Sequence, residues 1–167
     1  IKAVLAAEEM DPDDHVRSAR LDEALEILVG LWSGEPFSFA GSYHRIDDVR
    51  FLPAPAQEPR IPIWVAATWP NRAPLQRAAR FEGVFPISAE FESGGTLSPE
   101  DVRELRAYVE DRRVHSGPFD IVVGQAPDPA TLPEFADAGV TWWMESGFSP
   151  DEVRATIEAG PRKDATR

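Results

Sequence analysis

From residue 60 onward the sequence alternates four short apolar segments with four segments that carry helix-start signals and helical spacing. The apolar segments are 61–67, 84–87, 119–124 and 140–145, and the helical segments are 72–81, 98–113, 130–138 and 150–159. This alternation is typical of parallel β-strands joined by crossover helices. The first segment is apolar at nearly every position, which predicts a strand covered on both faces. We therefore expect an α/β fold built on a parallel sheet.

The part of the chain before residue 60 predicts a helix followed by a hairpin. A stripe of apolar residues at three- and four-residue steps, which we expect to be buried, consists of Leu21, Leu25, Leu28 and Trp32. Aromatic residues flank Gly41 and predict a short hairpin, and three prolines then predict an extended connector. We expect a single domain over 1–167, divided into a leading helix (1–33), a hairpin insertion with its connector (34–59) and four βα units (60–167).

Two architectures use a repeating βα order, the closed (β/α)8 barrel and the open doubly wound sheet. A complete barrel has about 250 residues, so four units with a leading helix amount to little more than half of one. An open sheet of the nucleotide-binding kind usually carries a G-x-G-x-x-G turn after a strand, and this sequence has none. The expected fold is therefore the C-terminal half of a TIM-type barrel, strands five to eight with their helices, and the open sheet remains the alternative.

The composition excludes several kinds of function. The 29 acidic and 17 basic residues give a net charge of −12, which disfavours non-specific binding to nucleic acid. There is no cysteine, and His15, His44 and His115 lie far apart, so we expect no metal site. No apolar run has the length of a membrane helix, and the start lacks the features of a signal peptide. We expect a cytoplasmic protein, and because the sequence begins with Ile1, a fragment of a longer chain.

Several ordered stretches resemble one family of enzymes. They are 20–28 (RLDEALEIL), 31–37 (LWSGEPF), 39–45 (FAGSYHR), 59–65 (PRIPIWV) and 78–86 (AARFEGVFP). They are similar to the bacterial-luciferase-like flavin-dependent monooxygenases and their deazaflavin-using relatives. The segments 119–124 and 139–145 match strands seven and eight more loosely. The chain departs from the family at Ala66 and Ala67, where glycines are usual, and at Glu82, where aspartate is usual.

The resemblance implies an oxidoreductase that uses a reduced flavin, either FMN or a deazaflavin coenzyme, to oxygenate a small organic substrate or to transfer hydride to it. It also places barrel strands one to four before residue 1, so this chain alone is expected to be incomplete for catalysis. The edges before Ile61 and after Met144 would then need an N-terminal barrel half or a homo-oligomer to cover them. The alternatives are a non-catalytic half-barrel or assembly module without cofactor, and an open α/β phosphate-binding protein.

The candidate cofactor site lies where the first strand of the sheet runs into a helix. Its residues are Ala67, Thr68, Trp69, Asn71 and Arg72. Free backbone N–H groups and the positive end of a helix dipole favour an anion at such a turn, and the resemblance assigns a coenzyme phosphate to it. The other interpretation is that Thr68 or Asn71 caps the helix while Arg72 is solvated. We expect Trp69 to be an exposed ring that lines a pocket for a planar group.

The last strand carries the remaining candidates. Glu145 ends an apolar segment, and at the mouth of a barrel its carboxylate would orient substrate or move a proton. The alternative is that Glu145 pairs with an arginine. Trp142 and Trp143 are expected on opposite faces of their strand, one inside the barrel and one under the helices, with both in the core.

Overall fold

A computed structural model describes residues 13–124, 129–144 and 149–160. The chain divides into two compact units, Ile1–Ile61 and Pro62–Arg167, and each is described separately below. That all 167 residues act as a single domain stays a prediction.

The first unit consists of a helix and a hairpin. Helix α1 spans Asp14–Leu31, and the Asp13 side chain caps it by accepting a hydrogen bond from the His15 backbone N–H at 2.8 Å. Strands β1 (Phe37–Ala40) and β2 (Arg45–Val49) pair antiparallel, as the aromatic residues around Gly41 predict. The leading helix and the hairpin of the sequence analysis are thus both present.

The face of α1 that contacts the hairpin is not the apolar stripe. Glu23 binds the hairpin loop, and Gly30 lies against the ring of Phe37. At 100° per residue, Leu21 and Leu25 fall on the other side of the helix. No residue of Asp14–Leu31 is buried, and Leu21 is 44% exposed. The expectation that this stripe is buried is therefore wrong within the described residues.

The second unit is the α/β part of the chain. Its strands are β3 (Trp64–Trp69), β4 (Gly83–Ser88), β5 (Asp120–Gly124) and β6 (Trp142–Met144). Its helices are α2 (Arg72–Ala78), α3 (Pro99–Glu110), α4 (Leu132–Ala138) and α5 (Pro150–Ala159), with 3-10 turns at Phe91–Ser93 and Pro129–Thr131. The βα order predicted from the sequence is confirmed.

The four strands form one parallel sheet in the order β3-β4-β5-β6. Each strand pairs with the next one along the chain, as in a barrel wall, and β3 and β6 are the outer strands. A doubly wound open sheet would put strands of this kind in the centre. The α/β class with a parallel sheet is confirmed, and the position of β3 and β6 argues against the open-sheet alternative.

One face of the sheet is covered by helices, whereas no described helix packs on the other, which is exposed at β3 and β6 and buried at Val122 in the middle of the sheet. In β3 the buried residues are Val65, Ala67 and Trp69, and the residues between them are exposed. Helix α2 packs on β3, and α3 packs against both α2 and α4. The expectation of a strand covered on both faces is wrong, because the described helices that pack on the sheet cover only the face with residues 65, 67 and 69.

The core lies between the sheet and these helices. Fully buried aliphatic residues between the sheet and the helices come from β4, β5, α2 and α3: Val84, Ile121, Leu75, Val102, Leu105 and Val109. Val122 of β5, which lies on the opposite face of the sheet, is also fully buried. Val102, Leu105 and Val109, at three- and four-residue steps, form the buried face of α3. Helix α5 has no buried residue, and Ile157 on it is 73% exposed.

Strand β3 starts three residues later and ends two residues later than predicted. Its start is set by Glu82, whose Oε2 accepts a hydrogen bond from the Ile63 backbone N–H at 2.9 Å. Regular pairing with β4 begins only at Trp64, opposite Gly83. Its end is extended because Thr68 and Trp69 still pair with Ile87 and Ser88. The turn predicted at Thr68–Asn71 therefore begins within the strand.

Candidate functional site

The face of the sheet that points away from α2, α3 and α4 is called the open face below. Strand register places on it Trp64, Ala66, Thr68, Gly83, Phe85, Ile87, Asp120, Val122, Gly124, Trp142 and Met144. All of these residues are apolar except Thr68 and Asp120. In a βα barrel this face lines the interior, and the reacting groups lie at the carboxyl ends of the strands.

The amino-terminal end of the open face is filled by side chains. The Trp64 indole lies across Gly83, and its Nε1 donates a hydrogen bond to Asp120 Oδ2 at 3.1 Å. The Trp64 and Trp142 rings are tilted at 50° with their centroids 5.6 Å apart. Asp120 Oδ1 accepts a second hydrogen bond from Thr141 Oγ1 at 2.9 Å. Asp120 is the one carboxylate on this face among the described residues, and both of its oxygens already accept a hydrogen bond. We therefore assign this end a structural role.

The two tryptophans of β6 lie on opposite faces, as predicted. Trp143 meets the Phe135 ring of α4 edge-on, with centroids 5.4 Å apart. Trp142 lies on the open face and is 52% exposed. The expectation that both rings are in the core therefore fails for Trp142, because no described helix packs on that face.

The carboxyl-terminal end of the open face is apolar with one hydroxyl group. At one edge of the sheet Thr68 of β3 pairs with Ile87 of β4. At the opposite edge, and on the same face, Met144 of β6 pairs with Gly124 of β5. Phe85 covers Gly124, where a Cβ atom would stand 3.0 Å from Phe85 Cζ. Among the described residues the Thr68 hydroxyl has no hydrogen-bond partner, and its side chain is exposed. This end is suited to a flat apolar group with one polar contact.

Asn71 caps α2, which was the alternative interpretation of this residue. Its Oδ1 accepts a hydrogen bond from the Ala73 N–H at 3.2 Å. The Asn71 N–H donates to the Thr68 carbonyl at 2.8 Å and closes the turn between β3 and α2. The amide oxygen of Asn71 is thus already in use, and Thr68 contributes its carbonyl rather than its hydroxyl to the turn.

Trp69 does not lie where the sequence analysis expects it. It is only 8% exposed, and its Nε1 donates to Asp101 Oδ1 at 2.8 Å at the start of α3. The expectation of an exposed ring lining a pocket is wrong, because alternation along β3 puts residue 69 on the same face as Val65 and Ala67. Ala67, also a candidate, is buried under the helices.

Arg72 is stacked between two aromatic rings on the helix side. Its Cζ lies 4.4 Å from the centroid of Trp69 and 4.8 Å from that of Tyr108. Its Nη2 is 3.8 Å from Glu104 Oε2. The guanidinium is therefore held beside Trp69, while Thr68 points to the open face. The structure brings Trp69 and Arg72 together and separates both side chains from that of Thr68.

Asp101 is the residue of this region that sequence reasoning did not select. Ser98 N–H and Ser98 Oγ donate to its Oδ2 at 2.8 and 2.6 Å. Desolvation tends to raise the pKa of Asp101, but the hydrogen bonds from Ser98 and from Trp69 outweigh it and lower that pKa below its ordinary value. The capping signal at Ser98 was readable from the sequence, whereas the contact with Trp69, 32 positions away, was not.

Glu145, the proposed acid or base, lies outside the described residues. Within the described ranges, no three His, Asp or Glu side chains gather in a way that could hold a metal ion. Of the helices in the part of the chain that is described, none is long and apolar enough to cross a membrane.

The chain is similar to one known protein family and to several curated proteins. The model of the luciferase-like monooxygenase family matches residues 5–127. The chain is 46% identical over 59 residues to an F420-dependent hydroxymycolic acid dehydrogenase of Mycobacterium tuberculosis, covering 35% of this chain and 16% of that protein. It is 36% identical over 110 residues to an uncharacterized protein of Mycobacterium bovis, covering 64% of this chain and 34% of that protein. It is 43% identical over 68 residues to an F420-dependent glucose-6-phosphate dehydrogenase of Intrasporangium calvum, covering 41% of this chain and 20% of that protein.

Among solved structures, a similar one is the monooxygenase RslO1 from Streptomyces bottropensis. The TM-score is 0.57 at 22% identity, and the match covers 94% of this chain and 45% of that chain. This likeness supports the fold. The chain spans about a third or less of the curated relatives named above and less than half of this structure. Because the family model matches most of its residues, the chain belongs to the luciferase-like monooxygenase family.

Proposed function

We propose that this chain forms the C-terminal part, strands five to eight, of a (β/α)8 oxidoreductase that uses a reduced flavin-type coenzyme on a small organic substrate. The coenzyme is FMN or a deazaflavin, and the F420-dependent relatives favour a deazaflavin. The observation that carries the proposal is the open face, which combines an apolar surface at the strand carboxyl ends with the exposed hydroxyl of Thr68. Oxygenation and hydride transfer both remain within the proposal.

The residues of this end fit the ring system of such a coenzyme better than its phosphate. Phe85, Ile87 and Met144 offer apolar contact to a planar ring, and Thr68 offers one hydrogen bond. For a phosphate, the side chains of Asn71 and Arg72 are already engaged in the cap and in the stack on Trp69. Ala67, Thr68, Trp69, Asn71 and Arg72 stay candidate cofactor residues, with Thr68 as the one whose side chain is available.

When bound, the coenzyme supplies the redox chemistry and the protein orients it and excludes water. Phe85, Ile87 and Met144 would exclude water from one side of the reacting ring, because their apolar side chains offer a water molecule no hydrogen-bond partner. The Thr68 hydroxyl would donate to, or accept from, a polar atom at the edge of the coenzyme and so fix its orientation. Glu145 remains the proposed proton-transfer group at the end of β6.

We further propose that additional strands complete the sheet. Among the described residues β3 and β6 each pair on one side only, and Trp142 and Met144 are about half exposed on the open face. Unpaired parallel edges and an uncovered apolar face favour association. An N-terminal barrel half or a second copy of this chain would cover both, and the same features support the alternative of a non-catalytic assembly module.

The proposal is tested by titrating the purified chain separately with oxidised F420 and with FMN, following binding by fluorescence. The informative variant is Thr68→Val, which removes the hydroxyl at nearly constant volume. Thr96→Val is the matched control, because Thr96 is an exposed threonine of the loop between β4 and α3.

We expect saturable binding of one coenzyme, with affinity reduced about tenfold in Thr68→Val, a loss typical of a hydrogen bond, and unchanged in Thr96→Val. Binding of neither coenzyme to the wild-type chain would favour the assembly module. Equal affinity of both variants and the wild type would remove Thr68 from the site.

A further inference from the structure

The carboxylate of Asp101 is shared between two tasks. Oδ2 takes part in the capping box of α3, where it accepts from the Ser98 N–H and Oγ while Asp101 N–H donates to Ser98 Oγ at 3.1 Å. A capping box of this kind needs only one carboxylate oxygen. Oδ1 is used differently, because it accepts the indole N–H of Trp69 at 2.8 Å. The second contact is therefore additional to what the helix start requires.

The contact with Trp69 ties α3 to the carboxyl end of β3. Trp69 is the last residue of that strand, and its carbonyl accepts a hydrogen bond from the Ala89 N–H at 3.0 Å, just after β4. The preceding residue, Thr68, accepts from the Asn71 N–H and begins the turn into α2. A shift of the Trp69 ring would therefore move the backbone of residues 68 and 69, and with it the Thr68 side chain.

The rest of the surroundings hold the same ring. Arg72 packs on Trp69 and on Tyr108, and Gln76 Nε2 donates to the Tyr108 hydroxyl at 3.1 Å. The charged groups at this contact include Asp101 itself and Arg72, and the Arg72 guanidinium lies 3.8 Å from the Glu104 carboxylate. Two contacts therefore hold the Trp69 ring: the hydrogen bond from its Nε1 to Asp101 and the Arg72 guanidinium on its face. The hydrogen bond limits movement of the ring within its own plane.

We propose that Asp101 is a positioning residue: through its hydrogen bond to Trp69 it holds the turn 68–71 in place and so fixes the position of the Thr68 hydroxyl, which strand alternation directs to the open face. The inference rests on the function proposed above for the site. Asp101 itself lies on the helix side and acts through Trp69.

The first test needs no coenzyme. Amide hydrogen exchange is measured at Asn71 and Ala89, whose N–H groups bond to the Thr68 and Trp69 carbonyls. The variants are Asp101→Ala, which loses both tasks, and Asp101→Asn, whose side-chain oxygen can still accept from Trp69. Glu100→Ala is the matched control, because it removes the same charge from the same helical turn and Glu100 pairs with Arg103 instead.

We expect both amides to exchange about tenfold faster in Asp101→Ala, and at close to the wild-type rate in Asp101→Asn and Glu100→Ala. Trp69→Phe, which keeps the capping box but removes the indole donor, is expected to match Asp101→Ala at these two amides. If Trp69→Phe leaves both amides unchanged, or if Glu100→Ala accelerates them equally, the contact does not position the turn and the proposal is overturned.

The second test is the coenzyme affinity of the same variants. Asp101→Ala and Trp69→Phe are expected to weaken coenzyme binding about as much as Thr68→Val does. Asp101→Asn is expected to bind the coenzyme with nearly the wild-type affinity. Accelerated exchange with unchanged affinity would overturn the positioning role while leaving the proposed function intact. Absence of binding to the wild-type chain would count against the proposed function, and the exchange rates would still decide whether Asp101 holds the turn.

Discussion

The indole rings of Trp64 and Trp142 lie 5.6 Å apart, although they belong to the two outermost strands of the four-stranded sheet. In a flat sheet these strands would be about three strand spacings, or roughly 14 Å, apart. The two large side chains bridge this distance from opposite edges of the open face, and the small Gly83 beneath Trp64 leaves the room they need. The amino-terminal end of the open face is closed by this pair.

The first prediction concerns the pair itself. Trp142→Ala and Trp64→Ala are each expected to lower the free energy of unfolding, and the double variant to lose about 1 kcal/mol less than the sum, as is usual for aromatic pairs. Chemical denaturation of the four proteins measures this coupling. Additive losses would show that the rings contribute independently. The Trp64 hydrogen bond to Asp120 adds to the effect of Trp64→Ala alone.

The second prediction concerns Gly83. A Cβ atom at this position would lie 2.5 Å from Trp64 Cδ1 and 2.7 Å from the Asp120 carbonyl oxygen. Because the second contact is with backbone of the neighbouring strand, Gly83→Ala is expected to cost about 1–3 kcal/mol of stability. Gly117→Ala is the control, since no atom comes within 4 Å of a Cβ there. Equal melting temperatures for the two variants would contradict the close approach of β4, β5 and the Trp64 ring.

The third prediction concerns Glu23 in the first unit. Its carboxylate accepts backbone N–H groups of Ser42 at 2.6 Å, Tyr43 at 3.0 Å and His44 at 2.8 Å. Glu23→Gln replaces one acceptor oxygen by a donor, so hydrogen exchange at these three amides is expected to accelerate. Glu26→Gln on the same helix, where the side chain is exposed, is expected to leave them unchanged. If the exchange rates of these three amides were the same in Glu23→Gln and Glu26→Gln, the hairpin loop would not depend on Glu23.

The same carboxylate predicts a pH dependence. Desolvation tends to raise the pKa of Glu23, but hydrogen bonds from Tyr43, Ser42 and His44 lower it below 4.5. A lowered folded-state pKa means that the stabilisation is complete above pH 4.5 and is lost as the pH falls through the folded-state value. Exchange protection of the hairpin loop, corrected for intrinsic rates, is therefore expected to decrease below pH 4.5 in the wild type and to stay flat in Glu23→Gln. The titratable group in contact with Glu23 is His44, whose Nδ1 lies 3.2 Å from Glu23 Oε2, and Arg20 lies over the neighbouring Tyr43 ring.

The sequence was sufficient for the order of elements because local signals determine it. Ser98, Pro99 and Asp101 mark the start of α3, and the apolar runs mark the strands. The family resemblance was also readable, since it depends on long ordered stretches. What local signals do not encode is the face to which each strand residue points, because this depends on register. The sequence predicts the strand at 61–67, whereas it spans Trp64–Trp69. The predicted strand therefore ended before Thr68 and Trp69 and did not indicate the face to which either side chain points.

The candidate site was only partly predictable for the same reason. Thr68 and Trp69 are neighbours in sequence, but the period of two along β3 sends the hydroxyl to the open face and the indole to the helices. The partner of that indole, Asp101, lies on α3, 32 positions later in the chain. The stripe of α1 failed as a prediction of burial because amphipathic spacing identifies an apolar surface without identifying what covers it.

The open face of the sheet is the side on which we expect the coenzyme to bind. The most direct test of this expectation is an NMR titration of the isotope-labelled chain with oxidised F420, and in parallel with FMN, following backbone amide shifts. We expect the largest changes at Ala66, Thr68, Phe85 and Ile87, and small changes at Val65 and Val84, which point to the helices. Changes confined to the helix side, or scattered without relation to the strand faces, would contradict it.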